Sequence, residues 1–184
     1  MYSKRTALAV YKAELSLHEE SPRIRTGRRT APESMDETDL KILRCIQEFP
    51  QHSVTELAKK VGLSHTPCWR RLKHLEESGA IQGRAVILDP KFMGFDVSVL
   101  ALVNLEIEDE KTFEAFEKAA LDNPHIVECA SVSGNSDYLL KVVVRSVTEY
   151  ENILRKTLLR LPGVKGIHSQ FVLKQVKNTT KLPF

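Results

Sequence analysis

Cysteine is scarce in this chain. Three occur in 184 residues, Cys45, Cys68 and Cys129, odd in number and far apart. No CxxC appears, and the six histidines fall in no ligand spacing, so structural zinc is not expected. Cys45 and Cys68 sit on apolar helical stripes and read as small buried hydrophobes. A reducing cytoplasm is the setting expected for such usage. No apolar run approaches a membrane span. The N-terminus has no apolar stretch leading to a cleavage site, so no secretory signal is expected. Also missing are a nucleophile paired with a base and a glycine loop built for phosphate. Neither catalysis nor a cofactor is expected. Glu108, Asp109 and Glu110 cluster at a strand-to-helix junction and read as solvated charges and a helix start. The net charge is only +3, but bases lean toward the front half, as suits a chain whose front half meets phosphate.

Ser53–Ile81 carries the strongest positive signal. Ser53 and Glu56 have the spacing of a capping box. Leu57, Ala58 and Val61 recur at helical spacing, and small Ala58 admits a close neighbour. Gly62 suits a left-handed stop. Ser64 or Thr66 then caps a second helix, and Pro67 is tolerated in its first turn. Over Thr66–Ser78, Cys68, Leu72 and Leu75 make the buried stripe, while His65, Arg70, Arg71, Lys73 and His74 fall largely off it. No acid stands between Ser64 and Leu75. Two short helices, a glycine turn and an acid-free second helix together predict a helix-turn-helix that reads double-stranded DNA. The expected DNA-facing set is Ser64, His65, Thr66, Pro67, Trp69, Arg70, Arg71, Lys73 and His74. Arg70 suits a bidentate guanine contact and Lys73 a phosphate. Trp69 either anchors the head's core or touches a thymine methyl. A rival reading is an assembly protein whose basic helix binds an acidic partner.

Residues 1–34 read as a basic flexible extension with a short helix at Ala7–Leu17, and Met35 is a candidate initiator. The head spans 35–80, opening on a helix at Asp36–Phe49 with Ile42, Cys45, Ile46 and Phe49 on one face. Residues 81–96 read as a strand or hinge. From Val97 strand and helix periods alternate. Val99, Ala101, Val103, Leu105 and Ile107 alternate as a strand. Phe113, Phe116, Ala119 and Ala120 mark a helix. Ile126–Val132 and Leu139–Val144 are strands around a Gly134 turn. Tyr150–Leu161 is a helix stopped by Pro162–Gly163, and Ile167–Val176 is the last strand. The order over 97–177 is βαββαβ, a ferredoxin-like split unit, with 178–184 as a tail. The predicted fold class is therefore α+β. A weak repeat supports two βαβ halves: Phe116 matches Leu154, Ala120 matches Leu158, and Pro124 matches Pro162.

Helices cover only one face of such a sheet. Yet Leu139, Leu140, Val142, Val143 and Val144 are apolar at both parities, as are Leu100 and Leu102 beside Val99 and Ala101. The second face should therefore be covered by another copy. Paired heads would also suit two half-sites.

The chain resembles the Lrp/AsnC (leucine-responsive regulatory protein / asparagine regulator) family of transcription regulators from Met35 to about Lys177. VGLSHTPCWRRLKHLEESGAI, LDPKFMGF, VSGNSDYLLKV and TLLRLPGVKGI carry the likeness, in that order. The resemblance implies a winged-helix-like helix-turn-helix head and a ligand-sensing, oligomerising domain. It also implies a homodimer, often a tetramer of dimers, and an amino-acid effector between dimers, with no membrane partner. Its ligand loop corresponds to Gly134, Asn135, Ser136, Asp137 and Tyr138. Loop amides would take a carboxylate and Asp137 an α-ammonium. A residue near Ser169 on a neighbouring subunit would close the cleft. Asn135 and Ser136 stand where relatives commonly have an Asp and an aromatic residue. The plain alternative is a hairpin turn whose Asp137 bonds nearby amides.

Overall fold

The computed structural model describes residues 35–106 and 109–184. The expectations for 1–34, for Ile107 and for Glu108 lie outside the described residues. The chain divides into two compact units, with the break at Val86/Ile87 and with Thr180–Phe184 belonging to the first unit.

The first unit holds three helices: α1 (Glu37–Glu48), α2 (Val54–Val61) and α3 (His65–Glu77). Each of the first two starts in a capping box. The Asp36 carboxylate accepts from the Asp39 amide at 2.9 Å, and the Asp39 carboxylate accepts from the Asp36 amide at 3.3 Å. The Ser53 hydroxyl accepts from the Glu56 amide, and the Glu56 carboxylate accepts from the Ser53 amide at 2.8 Å. These bonds satisfy amides that a helix start would otherwise leave unpaired. Gly62, at φ 74°, ends α2 in the left-handed region, and the Leu63 amide then donates to Ala58 at 2.9 Å. That reversal sets α3 across α2. Ile42, Leu57, Ala58, Cys68, Leu72 and Leu75 form the buried core, with Cys45, Ile46 and Val61 packed around it. Ala58 is only 3% exposed, which is the close approach that a small side chain allows.

Among the described residues, 82–89 join no ladder, and a turn follows at 90–94. The Asp89 carboxylate accepts from the Lys91 amide at 2.9 Å, and the Phe95 amide donates to Pro90 at 2.8 Å. The change of period at Ile81 thus marks a connecting segment without a pairing partner.

The second unit runs β1 (Val97–Leu105), α4 (Glu110–Leu121), β2 (Ile126–Ser131), β3 (Tyr138–Val144), α5 (Val147–Lys156), a 3-10 turn (Leu158–Arg160) and β4 (Val164–Phe171). The sheet order is β2-β3-β1-β4 and every pair is antiparallel. This is the ferredoxin-like βαββαβ arrangement. Alternation sorts the two faces. Val99, Ala101, Val103 and Leu105 lie with Tyr138, Leu140, Val142 and Val144 in a core completed by Phe116, Ala120, Tyr150, Leu158 and Leu161. Leu100, Leu102, Leu139 and Val143, on the other face, are half-buried.

The last strand begins three residues before the expected Ile167 and stops at Phe171 rather than Val176. Gly163, at φ 72°, turns the chain straight from the 3-10 turn into pairing. The β1 ladder offers Phe171 its partner Val99, and one main-chain bond, Val172 to Ser98 at 2.9 Å, follows.

Candidate nucleic-acid interface and effector cleft

Ser64 is the N-cap of α3, in extended conformation, and its hydroxyl makes no capping bond. The first turn of α3 carries no acid, so the positive end of the helix dipole is not offset there. Ser64, His65, Thr66, Pro67, Trp69, Arg70, Lys73 and His74 are all exposed. Cys68, Leu72 and Leu75 hold the opposite side of the helix in the core. Burial pushes the Cys68 thiol up, with nearby Cys45 adding to the shift, so Cys68 stays protonated.

Two residues of the expected set differ from their neighbours. Arg71 turns inward to α1, where its Nη1 lies 2.7 Å from Asp36 and 2.8 Å from Asp39. Hydrogen bonds to Asp39 and then Asp36 push its guanidinium further up. Arg71 therefore braces α3 against the start of α1. Trp69 is 46% exposed and does not anchor the core. The Lys73 ammonium sits 5.4 Å from its ring centroid, a cation–π distance. Lys73 also lies 3.6 Å from Glu77.

An open cleft of about 710 Å³ on the head brings Trp69, Lys73 and Glu76 together with Gln82, Gly83 and Arg84. Arg84 reaches Glu76 at 3.8 Å. Sequence reasoning missed Arg84 because it follows the helix in a stretch with no periodic signal. Its place in this cleft, beside Glu76, is a tertiary fact.

On the second unit, a cleft of about 580 Å³ is lined by Asn104, Asn135, Ser136, Lys165, His168 and Gln170, among others. The loop before β3 is pinned to β1. Asn104 Nδ2 donates to the Asn135 carbonyl at 2.7 Å, and the Ser136 hydroxyl donates to Asn104 Oδ1 at 3.2 Å. The Asp137 carboxylate accepts from the Leu105 amide at 2.7 Å, beside the irregularity of β1 at Asn104/Leu105. The Asp137 amide donates to the Val103 carbonyl at 2.9 Å. Asp137 thus holds β1, a partner 32 residues away, rather than the nearby amides that the hairpin alternative expected. Gly134, at φ 116°, takes a conformation that side chains rarely adopt.

Tyr138 and Ser169 do not line this cleft. Tyr138 is 4% exposed, packs 4.6 Å from the Phe116 ring and donates to Glu117 at 2.8 Å. Burial, and then that bond, push its phenol up. Ser169 pairs with Ala101 on the helix-covered face and its hydroxyl lies 2.6 Å from that of Tyr150. Asn104, Lys165, His168 and Gln170 were missed. Parity was the available signal for Asn104, His168 and Gln170, which fall on the open face with Leu100 and Leu102; Lys165 has the parity of Ile167 and stands at the β1–β4 irregularity, so parity does not place it.

A helix-turn-helix head followed by a ferredoxin-like unit defines a two-domain, DNA-binding transcriptional regulator. Residues 35–82 match the winged helix-turn-helix DNA-binding family and residues 98–182 match the Lrp/AsnC ligand binding domain. The chain is 41% identical to the Bkd operon transcriptional regulator of Pseudomonas aeruginosa, over 77% of this chain and 93% of that one. It is 38% identical to the leucine-responsive regulatory protein of Haemophilus influenzae, over 88% of this chain and 98% of that one. A solved Neisseria meningitidis transcriptional regulator in complex with L-Met matches at TM-score 0.77 and 33% identity, over 82% of this chain and 97% of that one. The chain belongs to the Lrp/AsnC family of transcriptional regulators. No described helix is long and apolar enough to cross a membrane.

Proposed function

We propose that the exposed side of α3 enters a DNA major groove, and that an amino acid or related small carboxylate bound beside Gly134–Ser136 alters that binding. The observation that carries the reading is the α3 surface itself. Its first turn is free of acid, and Arg70 and Lys73 are both exposed on it. Arg70 matches the O6 and N7 acceptors of guanine. Lys73, a compact charge held over Trp69, suits a phosphate oxygen.

The effector half rests on the second cleft. Lys165 and the loop around Asn135 and Ser136 offer a cation and polar donors for a carboxylate. The Neisseria relative's complex with L-Met supports an amino acid as the ligand class. The genes controlled are those of amino-acid metabolism or transport. Two copies cover each other's open sheet faces through Leu100, Leu102, Leu139 and Val143, giving a dimer that assembles further, as in a tetramer of dimers.

Gel shift on the chain's own upstream DNA, with and without a panel of amino acids, tests both halves. A specific shift altered by one amino acid is the expected result. No specific shift refutes DNA reading, and a specific shift indifferent to the whole panel refutes the effector.

A further inference from the structure

The outer face of α1 is occupied. Arg44, Gln47 and Glu48 stand at positions i, i+3 and i+4, one face of a helix, and all three grip the C-terminal segment. The Leu182 amide donates to Gln47 Oε1 at 2.6 Å, and Gln47 Nε2 donates back to the Leu182 carbonyl at 3.5 Å. Arg44 Nε donates to the Phe184 main-chain oxygen at 3.2 Å. The Lys181 ammonium lies 3.3 Å from the Glu48 carboxylate. Gln47 thus treats Leu182 as a strand edge would, reading main chain at both donor and acceptor. Neither α1's role in the head core nor DNA reading by α3 uses this face.

We infer that Lys181–Phe184 is a docking segment for α1 and that it couples the effector cleft to the head. Lys165, Gly166, Ile167, His168 and Gln170 of β4 line the cleft. The same strand ends at Phe171, and the chain rejoins the head's compact unit at Thr180. One continuous segment therefore forms a wall of the cleft and then holds the first helix of the reading head. A ligand that favours one setting of β4 biases the docked state of the tail, and by linkage the docked state biases ligand affinity. The coupling half rests on the effector reading above; the docking half does not.

Two experiments on the full-length protein separate these halves. The Gln47→Cys/Leu182→Cys pair, placed in a Cys45→Ala/Cys129→Ser background, should oxidise to a bond within one chain, read on a non-reducing gel and by intact mass. A bond between two chains, or none, overturns docking by the chain's own tail. Truncation after Thr180 and Gln47→Ala should each still bind L-leucine or L-methionine by calorimetry, with an affinity moved by no more than the coupling factor that reciprocity requires. Both should collapse the ligand-dependent change in DNA affinity, normally ~5–150-fold for such coupling, to within about two-fold of unity. A response that survives both variants overturns the coupling. If neither amino acid binds the unmodified chain, the effector reading fails and the coupling with it, while the crosslink still decides docking.

Discussion

Arg70 and Arg71 are adjacent in the chain but should fail in opposite ways when removed. Arg70 is exposed on α3, whereas Arg71 spans to Asp36 and Asp39 on α1. Losing one bidentate guanine contact costs roughly 1–3 kcal/mol, or about 5–150-fold in affinity, and relaxes preference at one base position. Arg70→Ala should do this without moving the thermal midpoint, because its side chain supports no other element. Arg71→Ala removes a guanidinium 37% exposed from a carboxylate, Asp39, that is 14% exposed. Water screens the arginine side of this pair, so its loss should cost about 1 kcal/mol rather than the several expected of a buried pair. In a domain of the head's size that is a fall of roughly 4–8 °C. Asp39→Asn made together with Arg71→Ala should recover part of the fall, since the unpaired carboxylate is then gone. The assays are fluorescence anisotropy on a labelled duplex and thermal denaturation followed by circular dichroism. Equal affinity losses for the two alanine variants with unchanged melting would refute the division of roles drawn from the geometry.

Three further outcomes are expected. Gly163→Ala should destabilise the second unit by at least ~1–2 kcal/mol, because its φ of 72° disfavours a side chain and a Cβ would collide with Thr112 Cγ2; urea denaturation measures it. Asn104→Ala should weaken effector binding about 2–10-fold by calorimetry while leaving the fold intact, since neutral hydrogen bonds worth about 0.5–1.5 kcal/mol net hold the Asn135–Ser136 loop. Acid should loosen the head from its caps. The Glu56 carboxyl is held below its ordinary 4.5 by the Ser53 hydroxyl and amide, and Asp36 below its ordinary 3.8 chiefly by the Asp39 amide. A depressed folded value means stability that is complete above the unfolded value and lost as pH falls through the folded one. Helicity should therefore hold down to about pH 4.5 and decline below it, and Glu56→Gln should flatten part of that decline in a circular dichroism titration.

Local chemistry made much of this architecture legible. Ser53 with Glu56, and Gly62 eight residues after Val54, act within one or two turns, so their spacing alone dictates helix, cap and stop. The period-2 runs at Val97–Leu105 and Tyr138–Val144 likewise declare a sheet with one helix-covered face. The last strand's end was less legible, because apolar residues continue past Phe171 while the β1 ladder does not.

The site residues divide along the same line. Exposure of Arg70 and Lys73 follows from helical phase, which three core positions, Cys68, Leu72 and Leu75, already define. Arg71 differs from Arg70 only through carboxylates 32 and 35 residues away. Asp137 spends its carboxylate on the Leu105 amide, 32 residues away. Tyr138 and Ser169 turn to the helix-covered face, since sheet pairing assigns each strand's alternate residues to opposite sides. Asn104 meets Asn135 and Ser136, and Leu182 meets Gln47, across separations no periodicity encodes. Helical and strand periods, together with caps and glycine stops, were determined by the sequence alone, because their energies act between near neighbours. Which polar groups remain free for a ligand was decided only by the tertiary structure, because a donor or acceptor is claimed by whichever distant partner folding brings within bonding distance.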